Sequence, residues 1–142
     1  MTLSSGFEIE EPKVFVPWGI SERVLVDLFG AYNLRKVTIG HYDISCVSLG
    51  GLHHELSFHF KPRVGGVLIE MEFYLKSSRS VTQSFKRLQN HFEAAFGVPS
   101  AAKHVRRSFP EYSYTWKLKG VRIEHHVRDK VWDTDQVKVI KV

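Results

Sequence analysis

Residues 52–75 read LHHELSFHFKPRVGGVLIEMEFYL, and this stretch decides the fold class. Leu52, Leu56, Phe58 and Phe60 alternate with His53, Glu55, Ser57, His59 and Lys61, the two-residue period of a strand with one dry face and one wet face. Pro62 to Gly66 are turn residues. Val67, Ile69, Met71, Phe73 and Leu75 then alternate with Leu68, Glu70, Glu72, Tyr74 and Lys76. Two such runs around a short turn predict an antiparallel hairpin.

Toward the N-terminus, Val37–Val47 alternates with a change of phase. Val37 and Ile39 share one phase and Tyr42, Ile44 and Cys46 the other, which places a bulge or bend near Gly40-His41. Before it, Ser21 is a candidate N-cap, with Glu22 beside the positive helix end. Val24, Leu25, Leu28, Phe29 and Tyr32 recur at helical spacing, and Gly30 marks a stop. Lys13–Trp18 is a short apolar stretch broken by Pro17. Residues 1–12, rich in Ser, Gly and Glu, read as a flexible tail, leaving residues 13–142 as one domain.

Toward the C-terminus, a serine at or near Ser80 caps a longer helix. Its apolar stripe is Val81, Phe85, Leu88, Phe92 and Phe96, ended by Gly97 and Pro99. Ser100–Phe109 is polar and basic and reads as a loop. Tyr112, Tyr114, Trp116 and Leu118 alternate with Ser113, Thr115, Lys117 and Lys119. After Gly120, Val121, Ile123 and Val127 oppose Arg122, Glu124, His126 and Arg128. A two-residue turn at Lys119-Gly120 pairs Leu118 with Val121 and Lys117 with Arg122. Gln136–Val142 is a weaker strand, expected at an edge. The order is α-β-β-β-α-β-β-β. It predicts an α+β domain of two helices on a largely antiparallel sheet of about six strands, with an internal duplication as one reading of the repeated order.

The composition excludes several classes. The chain has 142 residues, enough for one domain with a full core, and 43% hydrophobic residues, so it is not disordered in bulk. Cys46 is the single cysteine and cannot form an intramolecular disulfide, which favours a reducing compartment. No apolar run is long enough to span a membrane, and residues 1–11 lack the features of a signal peptide. The expected location is the cytoplasm.

The eight histidines invite a metal reading. His53 and His54, like His125 and His126, point to opposite faces of a strand, and no paired cysteines or HExxH pattern occurs. His54 and His125 fall in phase with core residues and are expected to be buried and hydrogen-bonded, as is Cys46. No nucleophile elbow or phosphate loop is present. Glu70 and Glu72 share one strand face and read as solvent-facing. We therefore expect no catalytic residues, no metal site and no cofactor.

Charge is unevenly spread. Residues 1–72 carry six Lys/Arg against nine Asp/Glu, a net of −3, and residues 73–142 carry fourteen against six, a net of +8. Such asymmetry points to an acidic protein partner or a polyanion facing the C-terminal half. The expected contact residues are Arg106, Arg107, Lys117, Lys119, Arg122 and Arg128, with Trp132 as an aromatic anchor. Lys117 opposite Arg122 is a like-charge pair that folding alone does not favour. The other reading is an ordinary solvated basic surface. Nucleic acid is the alternative partner, although Tyr112, Tyr114 and Trp116 fall on the apolar phase and leave the outer face without a stacking platform.

The helix ending in Phe96-Gly97-Val98-Pro99, the basic loop and the strand Tyr114-Thr115-Trp116 resemble repeat units of β-lactamase inhibitor proteins and related small lipoprotein domains. That resemblance implies a tandem α/β unit presenting a sheet to a protein partner. With Pro17-Trp18-Gly19 and Leu49-Gly50-Gly51-Leu52, the whole chain also resembles immunity proteins of bacterial polymorphic toxin systems. These are small cytosolic α+β domains that neutralise a cognate toxin by occluding it. The chain departs from the inhibitor family in lacking disulfides and a lipidation signal, and no functional residue carries over from either family.

Overall fold

The computed structural model describes residues 2–76, 81–105, 111–128 and 134–142. In chain order the elements are β1 (Gly6–Ile9), β2 (Val14–Pro17), α1 (Glu22–Phe29), β3 (Arg35–Thr38), β4 (His41–Ser48), β5 (Leu52–Lys61), β6 (Val67–Tyr74), α2 (Val81–Phe96), β7 (Ala101–Val105), β8 (Glu111–Leu118), β9 (Val121–Arg128) and β10 (Thr134–Lys141). The fold is α+β. Strands β3 to β10 form one antiparallel sheet in the order β3-β4-β5-β6-β10-β9-β8-β7, and β1 and β2 form a separate hairpin.

The sheet has eight strands where about six were expected, for identifiable reasons. The run Val37–Val47 divides into β3 and β4, with Gly40 at φ 73° where the phase changes. The basic segment after α2, expected as a loop, contains β7, whose exposed residues Ala101, Ala102, Lys103 and His104 hide the alternation of an outer strand. Each helix is followed by four strands rather than three. The last strand is not an edge: β10 lies at the centre, pairing with β6 on one side and β9 on the other. Burial on both flanks comes from this long-range pairing, which its local sequence does not carry.

Of residues 1–12, expected as a tail, the described residues 2–12 are instead built into the domain. Leu3, Phe7 and Ile9 are buried, and Phe7 meets Phe73 edge-on at 5.1 Å. The Glu10 carboxylate accepts from the backbone N–H groups of Gly50 and Gly51 at 2.8 and 2.9 Å, tying this segment to the β4–β5 turn. The short β1 strand is masked in the sequence by its Ser, Gly and Glu neighbours.

Among the described residues, both helices and the β1–β2 hairpin lie on one face of the sheet. Phe29 of α1 packs on Phe58, and Phe92 of α2 packs on Phe73 and Trp116. Leu88 and Phe92 are fully buried as the helical stripe predicts, Phe85 is half-buried, and the side chain of Val81 and the cap near Ser80 lie outside the described residues. Ser21 caps α1, accepting from the Val24 N–H at 3.3 Å. On α1 only Leu25 and Phe29 turn inward; Val24, Leu28 and Tyr32 are exposed. Gly97, at φ 84°, closes α2 by donating to Glu93 O at 2.8 Å. The Leu118–Val121 turn has the expected register, with Gly120 at φ 69°. In β6 a shift opposite His59/Phe60 loops out Ile69, so Leu68 rather than Val67 enters the core.

Candidate functional site: the open face of the sheet

The side chains that alternate with the core residues form the opposite face of the sheet. Neither helix nor the β1–β2 hairpin packs there among the described residues. Strand register sets these side chains in rows, with neighbours about 4.8 Å apart. One row runs Arg35, Asp43, Ser57, Glu72, Lys138, Glu124 and Thr115. The adjacent row runs His41, His59, Glu70, Ile140, Arg122 and Lys117. A third includes Gln136, His126, Ser113 and Lys103.

The two halves of this face differ in charge and in saturation. On β4–β6 stand Asp43, Glu55, Glu70 and Glu72. Asp43 is 7% exposed and accepts from Ser57 Oγ at 2.6 Å and Tyr74 OH at 3.2 Å, with His41 Nε2 at 2.9 Å. Glu55 is 6% exposed and accepts from Ser45 Oγ at 2.6 and 2.8 Å, with Arg35 at 4.0 Å. His41 and His59 stack at 4.4 Å. Burial, then the neighbouring His41, holds the His59 pKa below its ordinary value; burial holds that of Glu72 above the usual carboxylate range.

On β7–β10 the charge is largely positive, from Lys103, Lys117, Arg122 and Lys138. Glu124 stands among them and contacts Arg122 at 2.8 Å. A depression of about 360 Å³ here is lined by Ser113, Thr115, Glu124, His126, Gln136 and Lys138.

Of the contact residues expected from sequence, Lys117 and Lys119 are exposed, and Lys117 stands opposite a half-buried Arg122 as expected. Arg128 ends β9, and its side chain is outside the described residues, as are Arg106, Arg107 and Trp132 entirely. Lys138 was missed because β10 was read as an edge; its central place sets it directly between Glu72 and Glu124. The alternation of β8 and β9 already put Ser113, Thr115, Glu124 and His126 on this face, but which strands stand beside them is not a local property.

On the helix side, Ser48 and His54 have the hydrogen-bonded arrangement of a nucleophile and base. His54 Nδ1 donates to the Glu55 carbonyl at 3.0 Å, leaving Nε2 to accept from Ser48 Oγ. Their exposures are 0% and 4%, and His54 and Cys46 border a shallow depression of about 260 Å³ with Glu11, His53, Glu55 and Lys76. Cys46, 3.7 Å from His54 Nε2, is held by burial, then by the Glu55 charge, at a pKa of about 12, far from a reactive thiolate. His125 is likewise buried, with Nε2 2.6 Å from Asp135 Oδ1 and Nδ1 2.7 Å from Gln89 Oε1. Among the described residues, no group of His, Cys, Asp or Glu side chains is placed to hold a metal ion, and no helix is long and apolar enough to cross a membrane.

No family model matches the chain, and neither a curated protein nor a solved structure matches it significantly.

Proposed function

We propose that this chain is a non-enzymatic protein-binding module that occludes a protein partner with the open face of its sheet. In its most concrete form it is a cytoplasmic bacterial immunity protein neutralising a cognate toxin by stoichiometric binding. The observation that carries this reading is the asymmetry of the sheet. Both helices and the N-terminal hairpin crowd one face, while eight strands of ordered, charged and polar side chains stand on the other. A rigid sheet with side chains pinned by cross-strand partners is pre-organised for a large interface, which lowers the ordering cost of association. The buried state of Ser48, His54 and Cys46 supports binding rather than catalysis.

A polyanion partner is less well supported. The basic residues of the open face are interleaved with Glu72 and Glu124, and Tyr112 and Tyr114 lie on the helix side. An acidic protein surface, able to meet cations and avoid carboxylates point by point, fits better than a uniformly charged phosphate chain. The repeated order of one helix and four strands is read as an internal duplication, which makes the two halves of the face related platforms with opposite charge.

The test is to co-express the chain with the product of its neighbouring gene, which the reading requires to be a toxin. The reading requires restored growth and a 1:1 complex in solution. A toxin that stays active in the presence of excess folded chain would overturn the immunity reading.

A further inference from the structure

The two halves of the open face use their polar side chains differently, and the difference marks a binding subsite. On β4–β6 the hydrogen-bonding groups close on one another: Ser57 and Tyr74 donate to Asp43, and Ser45 donates to Glu55. On β8–β10 the side chains of Ser113, Thr115, His126, Gln136 and Lys138 are half-buried and form no hydrogen bond among the described residues. They converge on the same depression of about 360 Å³ from three adjacent strands and two adjacent rows. At about 4.8 Å between strands and about 7 Å along them, this grid has the dimensions of one side-chain head group.

We propose that the grid is an anchor subsite for a carboxylate side chain presented by the protein partner; the inference rests on the protein-binding reading above. A carboxylate carries only acceptor sites and is met best by charged donors and hydroxyls. Lys138 supplies an ammonium group that forms an ion pair with neither Glu72 nor Glu124, although it stands opposite both. Ser113 and Thr115 supply hydroxyls, Gln136 an amide N–H, and His126 a ring N–H. The one carboxylate in the grid, Glu124, is already engaged by Arg122. Lys117 on the flanking strand β8 and Lys103 on the outer strand β7 add positive charge. An arginine or lysine head group entering here would face those cations, whereas an aspartate or glutamate gains from them.

The probe is a short glutamate-rich peptide with capped ends, titrated into the isotopically labelled chain at low salt. A capped lysine-rich peptide and a single-stranded oligonucleotide serve as comparisons. Saturable amide shifts centred on Ser113, Thr115, His126, Gln136 and Lys138, and affinity lower by about tenfold in Lys138→Gln, would support the subsite. The milder variant Thr115→Val, on a half-buried face position, should weaken binding with an unchanged melting temperature. Peptide binding confined to Lys117, Lys119 and Arg122, unmoved by either variant, would overturn the subsite and leave the basic contact face standing. Absence of any shift on β7–β10 would overturn both. Preferential filling of the grid by the lysine peptide or the oligonucleotide would overturn the carboxylate assignment.

Discussion

Replacing Asp135 by Ala should destabilise the domain more than any other single polar change described here. Asp135 on β10 is 3% exposed through its side chain; its Oδ1 lies 2.6 Å from Nε2 of the fully buried His125, and its Oδ2 accepts from Ser84 of α2. His125 Nδ1 in turn meets Gln89 Oε1 at 2.7 Å, and the Gln89 amide N–H donates to Glu93 at 3.2 Å. The chain of contacts is the polar seam by which α2 sits on β9 and β10. Truncating Asp135 removes two hydrogen bonds to a charged group, each contributing about 1.5–3 kcal/mol. It also leaves the buried His125 ring and the Ser84 hydroxyl without their acceptor, so the loss should be about 3–5 kcal/mol, a large part of the 5–15 kcal/mol expected of a domain this size. Urea titration with linear extrapolation measures it, and the double variant with His125→Ala should lose much less than the sum of the two singles. A loss below about 1 kcal/mol would refute the reasoning, because the seam would then be hydrated or dispensable.

Phe92→Ala should cost about 3–5 kcal/mol, because the ring is fully buried against Phe73, Phe96 and Trp116. Denaturant titration showing under about 1 kcal/mol would place that stripe outside the core. The Cys46 thiol, pushed up to about 12, should resist iodoacetamide at neutral pH in the folded chain and react once urea unfolds it; labelling followed by mass measurement decides this. Burial lowers the His54 pKa below its ordinary 6.5, so the unfolded chain binds that proton first on acidification. Its contribution is present above the ordinary value and is lost as pH falls from there to the folded value, so stability should decline on acidification below about pH 6.5. His54→Gln should flatten that decline, and an unchanged slope would contradict the assignment.

Local patterns were legible where a two-residue or helical period met a buried surface on one side. The Leu52–Phe60 strand, the Leu118–Val121 turn and the inward Leu88 and Phe92 were all readable, because in each the neighbours that matter lie in the same hairpin or helix. Cys46, His54 and His125 were placed in the core by phase alone. What escaped was set by distant partners. The β1 strand is secured by Phe73 and the β4–β5 turn, remote from residues 6–9. The central place of β10 depends on pairing with β6, more than sixty positions earlier. Val24, Leu28 and Tyr32 follow helical spacing as well as Leu25 does, yet α1 meets the sheet along only part of its apolar stripe. The candidate site was half legible: Lys117 and Arg122 face each other within one hairpin, whereas the Lys138 grid needs β10 in the middle of the sheet.

The most direct test of the open sheet face as the contact surface is the association rate with the protein partner proposed for it. The variant Lys117→Glu/Arg122→Glu changes two outward side chains of one hairpin and gives up the partly exposed Arg122–Glu124 contact, so its fold should be retained with at most a small drop in melting temperature. Stopped-flow mixing at low salt should show association slowed by about tenfold or more relative to the native chain, with the difference shrinking as salt rises. An unchanged rate at low salt, with full neutralisation retained, would contradict the assignment and move the contact off this face.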